Sequence, residues 1–223
     1  MPTRMVRRLD QRRRTAPAGT ASILERAQRH LRQLRPRLMG GDTHVPDKVL
    51  SVFEPHTTTI RKGKISKPNE FGNLVTIQES EHQIITAYEV HAGRPADVTM
   101  WTPALDRHHA IFARAPYLAA GDRGFSSATN EQAAATRGVR RVILPRRGPK
   151  STARRAYERQ AWFRRGQRWR VGCEGRISVI KRRHGLRRCR YHGTDGMARW
   201  VGLGVIADNL RNIAAFVNAR AAA

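Results

Sequence analysis

The residues with the clearest capacity for chemistry lie in the run Arg170-Val171-Gly172-Cys173-Glu174-Gly175-Arg176-Ile177-Ser178-Val179-Ile180-Lys181-Arg182-Arg183. Glu174 is the single carboxylate there, among cations. On a helix, Arg170, Glu174 and Lys181 fall at i−4, i and i+7 and share one stripe, with Ile177, Val179 and Ile180 on another face for a core. An acid flanked by cations along one helical face suits metal-dependent phosphodiester chemistry. The acid would hold a divalent cation and the bases the nucleic-acid backbone. The alternative is a surface helix whose Glu pairs with the Arg one turn earlier. Asp122 is the second acid marked by position. It ends the apolar run Pro116-Tyr117-Leu118-Ala119-Ala120-Gly121, and open α/β sheets place their sites at such strand ends, although an Asp there also serves as a turn former. Two-metal phosphoryl transfer needs carboxylates converging from separate elements, so the pair weighs more than either acid alone.

The elements that must position these acids can be read along the chain. A basic start over residues 1–20 contains Arg12-Arg13-Arg14 and the breaker cluster from Thr15 to Thr20. A helix is predicted from Ser22 to Leu38, with Ser22 and Glu25 as a capping box and Pro36 and Gly40-Gly41 as its stop. Val49–Phe53 reads as a short extended run, Arg61-Lys62-Gly63-Lys64 as a basic turn, and residues 74–78 and 84–90 as an antiparallel hairpin. Asp97 is the predicted N-cap of a helix over 98–112. The run ending at Asp122, a helix over 128–137 capped by Ser127, and a strand over Val139–Leu144 make a βαβ unit. From Gly196 to about Asn218 a terminal helix is expected to cover the sheet with Trp200, Leu203, Val205, Ile206, Leu210 and Ile213. The fold class is therefore α/β, a mixed sheet flanked by helices.

Composition narrows the partners. The chain has 223 residues, 39% of them hydrophobic, with a net charge of +26. Length and apolar content allow a sizeable core, so the excess charge must lie on the surface, where a polyanion is its natural counterpart: nucleic acid first, with an acidic membrane surface as the competitor. Between Arg137 and Arg190 only Glu158 and Glu174 oppose a dense series of Lys and Arg, with Trp162, Phe163, Trp169 and Tyr191 interleaved. Those aromatics could stack on bases or sit in a core. No apolar run reaches the length of a membrane span and no signal peptide is evident. Two cysteines, Cys173 and Cys189, make neither a disulfide framework nor a zinc-finger spacing, which suits the reducing cytoplasm.

Ala120-Gly121-Asp122-Arg123-Gly124-Phe125, followed some fifty residues on by Arg170-x3-Glu174-x6-Lys181, resembles the end of the catalytic domain of DDE insertion-sequence transposases. The family carries a Tyr-x2-Arg-x3-Glu-x6-Lys signature, and here Gln167 stands at the Tyr position. The resemblance implies an RNase H-like fold, metal-dependent DNA hydrolysis and strand transfer, and Asp122 and Glu174 as catalytic metal ligands for Mg²⁺ or Mn²⁺. It further implies Arg170, Lys181, Arg182, Arg183, Arg187 and Arg188 along the DNA, a dimer when intact, and a site of action at the bacterial nucleoid. The family's first carboxylate ends an early central strand, and no early strand here ends in Asp: Asp10, Asp42 and Asp47 lie in helix-like or loop sequence, leaving Glu54 as stand-in. The expectation is a basic arm and helix over 1–44, then the C-terminal portion of a catalytic domain over 45–217, lacking the first strand and inactive alone. The alternatives are a non-catalytic DNA-binding remnant of a transposable element and a ribosome-associated protein.

Overall fold

Alternation of Leu74, Thr76 and Gln78 with Val75, Ile77 and Glu79 gives a strand two faces, and the following Ile85–His91 run repeats the pattern, so the two close as a hairpin. This holds in the computed structural model, which describes residue 8 and residues 18–42, 44–55, 57–61 and 69–222. Asp10 and Arg12 to Arg14 of the basic start, and the basic turn at 62–64, lie outside the described residues. The chain divides into two compact units, Met1–Asn73 and Leu74–Ala223.

In the first unit helix α1 spans Ala18–Gly40, so it starts before Ser22 and carries the expected stop residue Pro36 inside it, but it ends at the Gly40-Gly41 pair as expected, with Gly41 at a φ of +66°. Ser22 is thus an internal residue and not a cap. Val49–Phe53 is not a strand. It follows α1 as an irregular segment tied down by polar side chains: Arg26 Nε donates to Val52 O at 2.7 Å, Gln33 Nε2 to Asp47 O at 3.0 Å, and Gln33 Oε1 accepts from Val49 N at 3.0 Å. Those bonds satisfy backbone groups that a sheet ladder would otherwise have to pair. Strands β1 (Thr58–Arg61) and β2 (Asn69–Gly72) pair antiparallel.

The second unit is mixed α/β. β3 (Leu74–Glu79) and β4 (Ile85–His91) form the expected hairpin across a short 3₁₀ turn, with a register shift at Gln78/Glu79. Helix α2 covers Asp97–Phe112; its N-cap is Ala96, which makes Asp97 a first-turn acid and not the cap. β5 (Leu118–Ala120) and β6 (Arg141–Ile143) pair in parallel around helix α3 (Ala128–Thr136), which Ser127 caps by accepting from Asn130 N. Three helices follow: α4 (Thr152–Arg159), α5 (Ala161–Arg183) and α6 (Gly193–Ala221). Among the described residues the strands form three two-stranded sheets and no single continuous one.

Two cores result. Trp101, Leu105, Ala134, Val139 and Leu144 gather α2, α3 and the end of β6. Ile85, Ile180, Val201 and Val205 gather the hairpin, the end of α5, and α6. The expected face of α6 is corrected: Leu203, Ile206, Leu210 and Ile213 are exposed, while Val201, Gly202, Gly204, Val205 and Asp208 are buried. Close approach decides this. A side chain at Gly202 would overlap the Tyr88 hydroxyl and one at Gly204 would overlap Leu186 Cδ1. Asn209 completes the seat, accepting from Ile85 N at 2.8 Å and donating to Ile85 O at 2.9 Å.

Candidate functional site

Asp122 is delivered by β5. The ladder runs one residue past the strand, with Gly121 N donating to Ile143 O at 3.0 Å. Gly121 is buried, and a Cβ there would come within 2.8 Å of Leu144 and 2.9 Å of Trp101. The chain must then turn. Asp122 caps the 3₁₀ turn Arg123–Phe125, its Oδ1 accepting from Arg123 N at 2.5 Å. Asn130 latches that turn onto α2: its Nδ2 donates to Phe125 O and to Val98 O, each at 2.8 Å, and its carbonyl accepts from Trp101 Nε1 at 3.1 Å. The Asp122 side chain is 56% exposed at this strand end.

α5 brings the second group of residues. Phe163, Gly166, Arg176 and Ile180 are buried, and Gly166 lets the helix lie so close to β6 that a Cβ would overlap Ile143 Cδ1. One turn beyond Gly166, Arg170 places Nη1 3.8 Å from Asp122 Oδ1. The two residues singled out in separate parts of the sequence therefore meet. Glu174 lies in α5 one turn after Arg170, and its side chain lies outside the described residues. Lys181, Arg182, Arg183, Arg187 and Arg188 are exposed on the last turn of α5 and the bend after it, where Gly185 takes a φ of +71°. Eleven residues of helix separate Arg170 from Lys181, about 16 Å along the axis. That length covers several base-pair steps of duplex at about 3.4 Å each.

The core face of α5 differs from expectation. Ile180 is buried, but Ile177 is 43% exposed and Arg176 points inward beside it. Arg176 is the centre of a buried network that the sequence reading missed. It donates to Asp208 Oδ2 at 3.2 Å, to Glu79 Oε2 at 3.4 Å, and to Gln83 Oε1. Asp208 is fully buried, and its other oxygen lies 3.2 Å from His184 Nε2. The available signal was Asp208 itself, the single acid of the apolar stretch Trp200–Ala219. The interleaved aromatics divide: Phe163 is core, Trp169 and Tyr191 are partly exposed, and Arg141 lies over the Trp162 ring at 5.3 Å.

Cys173 faces the same network. Burial first, then the charge of Glu79 and a hydrogen bond with it, push its thiol up to about 11. At neutral pH its thiolate fraction should be about two to three orders of magnitude below that of a free cysteine. Alkylation by iodoacetamide, followed at Cys173 by peptide mass mapping, should therefore be slow near pH 7.5 and accelerate as pH rises. A rate equal to that of free cysteine would mean that Cys173 is not enclosed as described.

Among the described residues no three His, Cys, Asp or Glu side chains converge to hold a metal ion, so the donor set of a two-metal centre is not assembled by them. Within these residues, too, no helix is long and apolar enough to cross a membrane. The second unit is thus an α/β body in which a strand-end carboxylate lies beside an Arg of a long cationic helix. Residues 129–214 match the family model of the transposase DDE domain. The match includes α5, with Arg170, Glu174 and Lys181, and begins after Asp122. DNA is the partner such a domain implies, and DDE transposase domains generally use divalent metal ions. No curated protein and no solved structure matches the chain.

Proposed function

We propose that this chain is the C-terminal portion of an RNase H-like DDE transposase, acting in metal-dependent hydrolysis and strand transfer at transposon ends. The catalytic portion spans 45–217, after a basic arm and helix over 1–44. The approach of Arg170 to Asp122 carries this reading, because it draws the signature helix to the strand-end acid. Asp122 and Glu174 are assigned as catalytic carboxylates and ligands of Mg²⁺ or Mn²⁺. Arg170, Lys181, Arg182, Arg183, Arg187 and Arg188 are assigned to the backbone of double-stranded DNA. The intact enzyme works as a dimer on the bacterial nucleoid, in the cytoplasm.

Two carboxylates leave a metal pair short of a ligand, so no hydrolytic step is assigned to this chain by itself. One feature of each unit supports a missing central strand. The hairpin and the parallel pair of the second unit are separate sheets, and in the first unit Glu54, the stand-in acid, follows an irregular segment and not a strand.

The test is a cleavage and strand-transfer assay with Mg²⁺ or Mn²⁺ and a candidate transposon end. The isolated chain should be inactive, and an added upstream segment that ends a strand in Asp should restore activity. Asp122→Ala and Glu174→Ala should each then lower the restored rate by about a thousandfold or more. Robust activity of the isolated chain that vanishes on Glu54→Ala would make Glu54 the first carboxylate and defeat the assignment. DNA binding with no activity under any complementation would favour the non-catalytic remnant.

A further inference from the structure

We infer that the exposed side of α6 is an interface between two copies of this chain. The inference names a surface for the dimer proposed above and rests on that reading for its purpose, not for its geometry. Leu203, Ile206, Leu210, Ile213 and Val217 follow one another at spacings of three and four, which aligns them as one seam along a helix. Each is between 49% and 63% exposed. The helix cannot roll to bury them. Its opposite side is fixed by Gly202 against Tyr88, by Gly204 against Leu186, by Asn209 on both backbone groups of Ile85, and by Asp208 on Arg176.

Charge selects the occupant. The chain carries +26, yet from Trp200 to Ala219 its only ionisable acid or base besides the buried Asp208 is Arg211. Two copies meeting at a cationic surface would repel; at this seam they bring Leu, Ile and Val together, flanked by the small residues Ala207 and Ala214. DNA has no use for an apolar stripe, and an acidic protein would be drawn to the cations elsewhere. The residues at 1–17 and 62–68 are rich in Arg and Lys and do not complement it. A second copy does, because an isologous contact needs only self-complementarity. The seam is about 21 Å long. Pairing it with its copy would bury on the order of 1,000 Å² in total, the low end for a specific interface, so the dimer should be a weak one.

Salt separates this contact from DNA binding. Raising NaCl from about 0.15 M to about 1 M shortens the Debye length from about 8 Å to about 3 Å, which relieves repulsion between copies while weakening contacts to phosphate. Sedimentation equilibrium of the full chain should show a monomer–dimer equilibrium that tightens with salt. The Ile206→Glu/Leu210→Glu pair should weaken it by about 100-fold while helix content and DNA affinity stay unchanged. Leu210 is the midpoint of the seam and meets its own copy whether the helices run parallel or antiparallel. Leu210→Cys should therefore cross-link under copper-phenanthroline faster than Ala215→Cys and faster than the native cysteines. This conservative change tests the contact even if the Glu pair fails to fold. A monomer at every concentration and salt, a dimer that survives the Glu pair, or cross-linking of Leu210→Cys no faster than that of Ala215→Cys would overturn the inference. Loss of DNA binding by the unmodified chain would instead strike the transposase reading and leave the interface standing.

Discussion

Replacing Arg176 with alanine should lower the stability of the Leu74–Ala223 unit by about 3–5 kcal/mol, the range for removing one partner of a buried ion pair. Arg176 is 7% exposed, and the two carboxylates it faces, Asp208 and Glu79, have side chains almost wholly out of water. Deleting the guanidinium leaves both acids buried without their counter-charge. His184 reaches Asp208 alone, and Asn212 Nδ2 adds one neutral bond to it at 3.2 Å. Arg176→Lys should cost less than alanine but remain clearly destabilising, since one ammonium cannot reproduce a planar fork reaching Asp208, Glu79 and Gln83. Urea unfolding followed by Trp fluorescence measures both. A loss under about 1 kcal/mol for alanine would mean that water enters and solvates the acids.

Duplex DNA should bind with little sequence preference and lose about 10³- to 10⁵-fold in affinity between about 50 and 200 mM salt, as expected for six to ten phosphate contacts. Arg182, Arg183, Arg187 and Arg188 are exposed and unopposed by any acid nearby in sequence, so their cost in counterions is fully recoverable on binding. The quadruple alanine variant should reduce the slope of log affinity against log salt by about three to four. Fluorescence anisotropy across a salt series reads this directly. An unchanged slope would place the DNA path on another surface, such as the cations of α1.

What the sequence disclosed follows from where side-chain period and burial agree. The β3–β4 hairpin, α2, the Ser127 cap and the parallel β5–β6 pair were legible because alternating or helical apolar spacing coincides there with local turn chemistry. α6 was legible as a helix but not in its orientation. Its apolar residues surround the helix, and the face that packs is chosen by Gly202 and Gly204, whose contribution is the absence of a side chain. Val49–Phe53 has strand composition, yet polar side chains from α1 satisfy its backbone, a long-range effect that no local pattern carries. At the site, Asp122 and Arg170 could each be picked out by position, but their approach depends on Gly166 seating α5 against Ile143. Arg176 escaped notice because one more cation in a basic helix reads as a solvated face, and its partners lie 97 and 32 residues away.

The Asn209 side chain has one more consequence. Its amide faces Ile85 as a neighbouring strand would, accepting from the N–H and donating to the carbonyl at 2.8 and 2.9 Å. It works as a one-residue stopper on the outer edge of β4, where open ladder groups would otherwise recruit another chain. A strand joining along β4 would find its first rung already closed.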